Sequence, residues 1–148
     1  MKNKWKNLLI ALLAFLGLGA VYGGSLLIIS PSGKLLGMPI YLLESTPFNN
    51  FLIPGIFLFV INGIAPLLLI IAFIKKPDST LAERLNIFSD MHWSWSFIIY
   101  QAIVLILWIQ IQLNLIQGIS VVHTFYIVLA IIILLIALQP SIKKEYRM

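Results

Sequence analysis

Four long apolar runs constrain this chain more than any other feature of its sequence. They are Leu8–Ile29, Pro54–Ile74, Ser94–Leu113 and Val121–Leu138, and none contains an aspartate, glutamate, lysine or arginine. A helix rises about 1.5 Å per residue, so about 20 apolar residues cross the roughly 30 Å hydrocarbon core of a bilayer. A helix also pairs its own backbone polar groups, as lipid requires. We therefore predict four transmembrane helices.

The composition leaves little room for a soluble domain. The chain is 61% hydrophobic and 10% charged, which lies outside the range of soluble globular domains. We predict that residues 1–148 form one all-α domain, an antiparallel bundle of four transmembrane helices. The longest connections are an outer loop over residues 30–53 and a cytoplasmic loop over residues 75–93.

The positive charges are distributed unevenly among the loops. Nine of the ten lysines and arginines precede the first run, lie between the second and third, or follow the fourth, whereas Lys34 lies in the outer loop. Cytoplasmic loops carry an excess of such residues, so we expect both termini in the cytoplasm. The net charge of +5 then indicates topology. We expect membrane lipids as partners, and no nucleic acid.

The first run is rich in small residues at helical spacing. Small residues one turn apart let two helix backbones approach closely, which favours helix association in lipid. Such residues pack this helix either within the bundle or against a second copy or another membrane protein. The predicted packing residues are Gly17, Gly19, Gly23 and Gly24.

The second run carries Asn62 and Pro66 near its centre. Proline has no N–H and crowds the carbonyl four residues earlier, so we expect a freed carbonyl at Asn62 beside its polar side chain. Gln101 of the third run lies at a similar depth. We predict a hydrogen bond between Asn62 and Gln101, because an unpaired polar group is costly in the membrane.

At 100° per residue, Gln101 shares one face of the third helix with Ser94, Trp108 and Gln112, whereas Gln110 points away. We expect this polar stripe to face the interior of the bundle, together with polar residues near the outer end of the fourth run. The candidate ligand-binding residues are Asn62, Gln101, Trp108, Gln112, His123 and Tyr126.

The outer loop combines turn-forming and apolar residues in the stretch PSGKLLGMPIYLLESTPFNNFLIPG, residues 31–55. Pro39 is suited to begin a short helix that ends near Glu44 and lies in the membrane interface. We expect the loop to fold back over the mouth of the bundle as a lid. The candidate lid residues are Pro31, Gly33, Met38, Pro39, Phe48 and Pro54.

Several kinds of chemistry have little support in the sequence. The chain has no cysteine, which excludes disulfides and thiolate ligands. His92 and His123 lie at opposite predicted membrane edges, so they cannot share a haem or a metal ion. The sequence shows no set of nucleophile, base and orienting acid. We expect no cofactor and no metal, and a protein that is not an enzyme is favoured.

The chain resembles a family of small, uncharacterised four-helix bacterial membrane proteins. The resemblance rests on Pro31-Ser32-Gly33, Leu36-Gly37-Met38-Pro39, Thr46-Pro47-Phe48, residues 51–55 (FLIPG) and Trp108-Ile109-Gln110. It implies the four-helix architecture and a location in the bacterial inner membrane, and it implies no particular chemistry.

Three functions are compatible with these patterns. The favoured one is a binding or accessory protein whose outer lid covers a cavity for a lipid or a small amphipathic ligand. The second is a structural or assembly subunit that docks onto another membrane protein through its glycine-rich first helix. The third is a lipid-modifying membrane enzyme, for which Glu44 and His123 are the candidate outer groups.

Overall fold

The computed structural model describes residues 3–115 and 121–148, and the part of the chain that it describes contains helices and no strand. Two 3₁₀ turns, Lys34–Leu36 and Ile40–Leu43, lie in the outer loop. The α-helices are α1 (Lys4–Ile29), α2 (Leu52–Phe59), α3 (Ala65–Lys75), α4 (Thr80–Arg84), α5 (Trp93–Leu115), α6 (Val121–Ala137) and α7 (Pro140–Tyr146).

The prediction of four helices able to span a membrane is confirmed for three segments, and the fourth depends on how α6 and α7 are counted. Lys4–Ile29, Leu52–Lys75 and Trp93–Asn114 are each long and apolar enough to cross a membrane. Helices α6 and α7 meet this criterion when counted as one pair, which is bent by 64° at the break between them. Residues 116–120, between α5 and α6, lie outside the described residues.

The long helices pack side by side. Helix α1 contacts α2, α3 and α6, and α5 contacts α3 and α6. A continuous apolar core runs between them, whereas many other large apolar side chains of the same helices are exposed, as expected for surfaces that face lipid. The best-buried core residues include Leu9, Leu13, Phe73, Ile98, Ala102, Ala130 and Ile133.

Helices α2 and α3 form one span, Leu52–Lys75, with a π-helical turn at Val60–Ile64 in its middle. The N–H of Ala65 donates to the carbonyl of Val60, five residues earlier. This wider turn accommodates Pro66, which follows it and cannot donate a backbone hydrogen bond.

Glycines let α1 and this span approach closely. A Cβ on Gly24 would lie 2.8 Å from the backbone N and Cα of Phe59, and a Cβ on Gly17 would lie 2.9 Å from the carbonyl oxygen of Gly63. Both distances are too short for a side chain. Gly17 and Gly24, two of the four predicted packing glycines, therefore pack α1 against α2 and the π-helical turn of the same chain.

The first turns of α1, the end of α3 and α7 meet at one end of the molecule. Glu145 of α7 pairs with Lys6 at 2.5 Å and with Lys76 at 3.8 Å. The ring of Tyr146 stacks on Phe73 with 4.3 Å between centroids, and its hydroxyl donates to the Phe73 carbonyl. The three basic segments of the sequence thus lie together.

Short elements at this end agree with the local sequence signals. Ser79 caps α4, because its Oγ accepts a hydrogen bond of 3.2 Å from the N–H of Ala82. A tryptophan near the start of an apolar run is typical of an anchor at the membrane edge. Trp95 has this position, but it is buried, and its Nε1 donates to the carbonyl of Ala137 at 2.8 Å. This tryptophan joins α5 to the end of α6.

The outer loop folds onto a second, smaller apolar cluster. Leu27 of α1, Leu43 and Phe51 are its buried members. The N–H of Phe51 donates to the carbonyl of Pro31 at 2.8 Å, which ties the end of the loop to its beginning. Gly33 has a φ of +81°, a conformation that favours glycine, and its carbonyl accepts from the N–H of Met38 at 2.9 Å.

Candidate functional site

A hydrogen-bonded pair lies at the π-helical turn. Nε2 of Gln101 donates to Oδ1 of Asn62 at 3.2 Å, so the structure contains the predicted pair. The same Nε2 donates to the carbonyl of Ile61 at 3.1 Å. The sequence predicts a freed carbonyl at Asn62, whereas the carbonyl that accepts from Gln101 is that of Ile61, one residue earlier. The Ile61 carbonyl is available because the π-helical turn directs the Ala65 N–H to Val60 instead of Ile61.

This geometry determines how the Asn62 amide is oriented. A carbonyl accepts hydrogen bonds only, so the Gln101 atom that faces Ile61 must be its NH₂ group. Asn62 must then offer its oxygen to that NH₂ group. Its own Nδ2 is buried and has no hydrogen-bond partner among the described residues. Asn62, which is 0% exposed, therefore has its acceptor satisfied and its donor free.

A cavity of about 630 Å³ lies beside Asn62. Its volume falls within the range of about 300–1,000 Å³ that is typical of small-molecule sites. One wall is α1, where Gly19, Ala20 and Gly23 line the space. A Cβ on Gly23 would meet its nearest neighbour, Leu58, at 3.7 Å, which is an ordinary contact. Gly23 therefore borders open space, whereas Gly17 and Gly24 pack closely against another helix.

Five of the six candidate ligand-binding residues line this cavity. They are Asn62, Trp108, Gln112, His123 and Tyr126, which come from the central span, from α5 and from α6. Gln101 is not among the lining residues. It lies behind Asn62, so its contribution is to orient that side chain.

Three polar atoms of the lining residues are buried without a partner in the described part of the chain. They are Nδ2 of Asn62, Nε1 of Trp108 and Nδ1 of His123. Trp108 is held by Phe57, which stacks on it with 4.4 Å between ring centroids. Most buried polar groups in proteins are hydrogen-bonded. All three atoms belong to residues that line the same cavity.

The outer loop reaches this cavity through three apolar side chains. Leu36, Met38 and Leu42 line it. Of the six candidate lid residues, only Met38 is among the described lining residues. Gly33 and Phe48 contribute to the fold of the loop, because Gly33 forms its first turn and Phe48 packs on the second apolar cluster. Pro31 lies near the start of the loop, Pro39 directly precedes the 3₁₀ turn Ile40–Leu43, and Pro54 lies in the first turn of α2.

No group suited to bind a metal ion is found in the part of the chain that the structure describes. Among the described residues, no three histidine, aspartate or glutamate side chains lie together. No described lining residue is a lysine, arginine, aspartate or glutamate. The second histidine, His92, is engaged elsewhere, since its Nδ1 lies 2.8 Å from Oγ of Ser94.

Sequence reasoning missed two features of this site. It assigned Gly19 and Gly23 to helix packing, although the small-residue pattern by itself does not distinguish a packed face from an open one. It also missed Phe57, which holds Trp108. The aromatic pair Phe57 and Trp108 carries no sequence signal, because the two residues belong to different helices.

No protein-family model, curated protein or solved structure matches this chain.

Proposed function

We propose that this chain is a membrane-embedded binding or accessory protein whose cavity holds a lipid or another small amphipathic molecule. The observation that carries this proposal is the cavity of about 630 Å³, with an apolar lining and three unpaired buried polar groups. Small-molecule sites typically combine such a lining with a few polar groups. Leu36, Met38 and Leu42 would act as the lid over the ligand.

The proposed setting is a four-helix antiparallel bundle in the bacterial inner membrane, with both termini in the cytoplasm. Two observations support it: the basic segments meet at one end of the molecule, near Glu145, and Lys34 belongs to the loop at the other end of α1. The bacterial location rests on the resemblance described above. The 3₁₀ turn Ile40–Leu43 would lie in the outer interface, since Ile40 and Tyr41 are exposed.

Topology is testable because the chain has no cysteine. A membrane-impermeant maleimide added to intact cells should label a Lys34→Cys variant and leave a Lys144→Cys variant unlabelled until the cells are opened. Labelling of both variants, or of Lys144→Cys alone, would contradict the proposed orientation.

Ligand binding is testable by native mass spectrometry of protein extracted in mild detergent. We expect a co-purified amphipathic molecule on the wild-type chain. Gly23→Leu should displace it, because the new side chain would enter the cavity. The control is Leu18→Phe, which adds bulk on the same helix at an exposed position outside the cavity. A wild-type chain that is repeatedly free of bound molecules would reject the proposal.

The two alternative functions have less structural support. Docking through the first helix would use the glycines of α1, but Gly17 and Gly24 are buried within the chain and Gly19 and Gly23 line the cavity. An enzyme would need reacting groups near the ligand. Glu44, the candidate outer carboxylate, is exposed and is not among the described lining residues.

A further inference from the structure

The charge of the cavity lining limits what kind of head group fits. The described lining residues contain no lysine, arginine, aspartate or glutamate, and His123 is the one described lining residue that could carry a positive charge. Removing an ion from water without a partner of opposite charge costs far more than removing a neutral polar group. The lining therefore favours an uncharged ligand.

The unpaired polar atoms of the lining residues limit whether the ligand donates or accepts hydrogen bonds. The indole Nε1 of Trp108 and the amide Nδ2 of Asn62 are donors only. The Asn62 amide cannot exchange its nitrogen for its oxygen without losing the bond from Gln101. The third atom, Nδ1 of His123, donates or accepts according to the tautomer. Two residues of the lining thus carry a donor without a partner among the described residues.

The volume limits the size of the ligand. At the roughly 30 Å³ that one water molecule occupies in the liquid, the cavity of about 630 Å³ holds roughly 20 non-hydrogen atoms. Space of that size fits one acyl or prenyl chain with a compact head group. Gly19 lines the cavity and is also exposed, so the space opens to the surface beside α1, where a longer chain would continue into the bilayer.

We infer that the cavity takes a neutral single-chain lipid whose ester or hydroxyl oxygen accepts hydrogen bonds from Trp108 and Asn62. This inference rests on the proposed function and adds the chemical class of the ligand. The two donors lie on different helices, so they would hold one oxygen-bearing head group beneath the lid.

Four probes with matched mono-unsaturated chains of equal length separate the alternatives: monooleoylglycerol, oleate, oleylamine and the octadecene with the same cis double bond. Each is titrated into the detergent-solubilised full chain in mildly alkaline buffer, and binding is followed by native mass spectrometry. We expect monooleoylglycerol to bind about tenfold more tightly than octadecene, since tenfold corresponds to about 1.4 kcal/mol and two donors are available. The two ionic probes should bind more weakly than monooleoylglycerol.

A variant identifies the donor. Trp108→Phe keeps an aromatic ring against Phe57 and removes the N–H. We expect it to weaken the binding of monooleoylglycerol about three- to tenfold more than the binding of octadecene. Trp5→Phe is the matched control, because Trp5 is an exposed tryptophan at the other end of α1. It should change neither affinity.

The outcomes distinguish this inference from the proposed function. If all four probes bind equally, the inferred head-group class is wrong, whereas the proposed function, a cavity that binds an amphipathic molecule, is still supported. Tightest binding of oleate or oleylamine would likewise overturn the neutral class. An unchanged preference in Trp108→Phe would remove Trp108 as the donor. If no probe binds, the proposed function itself fails.

Discussion

Replacing Gln101 with leucine tests whether polar pairing at the π-helical turn stabilises the membrane-embedded fold. Gln101 makes two hydrogen bonds, to Ile61 and to Asn62. Interhelical hydrogen bonds in membrane proteins contribute about 0.6 kcal/mol on average and about 1.7 kcal/mol at most. We therefore expect Gln101→Leu to lower the free energy of unfolding by about 1–3 kcal/mol.

The partner substitution should cost less. Asn62→Leu removes one of the two bonds, and it also removes Nδ2, which is buried without a partner in the described part of the chain. Burial of an unpaired donor is itself unfavourable. We expect the free energy of unfolding to fall by about 0.5 kcal/mol or less. This asymmetry between the two single variants follows from the position of the Ile61 carbonyl.

The measurement is a double-mutant cycle of unfolding in mixed detergent micelles. The double variant should cost less than the sum of the single variants, by about 0.6 kcal/mol for the bond between the two side chains. Gln110→Leu is the control, because Gln110 is exposed, and it should leave stability unchanged. Additive single effects, or a larger loss for Asn62→Leu than for Gln101→Leu, would refute this account.

Two glycine pairs provide further tests. Gly24→Ala should lower the free energy of unfolding by about 1–3 kcal/mol, because its Cβ would lie 2.8 Å from the Phe59 backbone; Gly23→Ala, with 3.7 Å to its nearest neighbour, should stay within about 0.5 kcal/mol. An equal loss at both positions would contradict the close approach. Gly33→Ala should make the outer loop sensitive to protease, because its Cβ would clash with the Met38 carbonyl, whereas Gly37→Ala, with the same sign of φ but no atom within 4 Å, should do so much less. Equal protease sensitivity would show that backbone conformation alone matters.

Helical spacing and depth were enough to predict the pair of Asn62 and Gln101. Both residues are polar, both lie near the middle of apolar runs, and Gln101 shares a face with other polar residues. Polar groups at that depth need partners, which narrows the choice. The bond to Ile61 was not predictable in the same way. It depends on the π-helical turn, and a proline in a helix is accommodated in several ways, including kinks and breaks.

Other features depended on contacts between distant segments. Trp95 carries the sequence signal of a membrane-edge anchor, but its Nε1 reaches the Ala137 carbonyl and the ring is buried. Helix α7 was not predicted either. Its signals are Pro140 at the helix start and apolar residues at positions 142 and 146, and its placement depends on Glu145, which pairs with two lysines from other segments.

The sequence by itself determined the helices and their membrane character, because long runs without charge allow few other structures in lipid. It also selected most of the polar residues that line the cavity, since such residues are rare in these runs. Only the tertiary structure decided which small residues pack and which leave open space. Gly17 and Gly24 contact another helix closely, whereas Gly19 and Gly23 border the cavity. That difference depends on which residues of other helices lie opposite each glycine, and the sequence of one helix does not specify those residues.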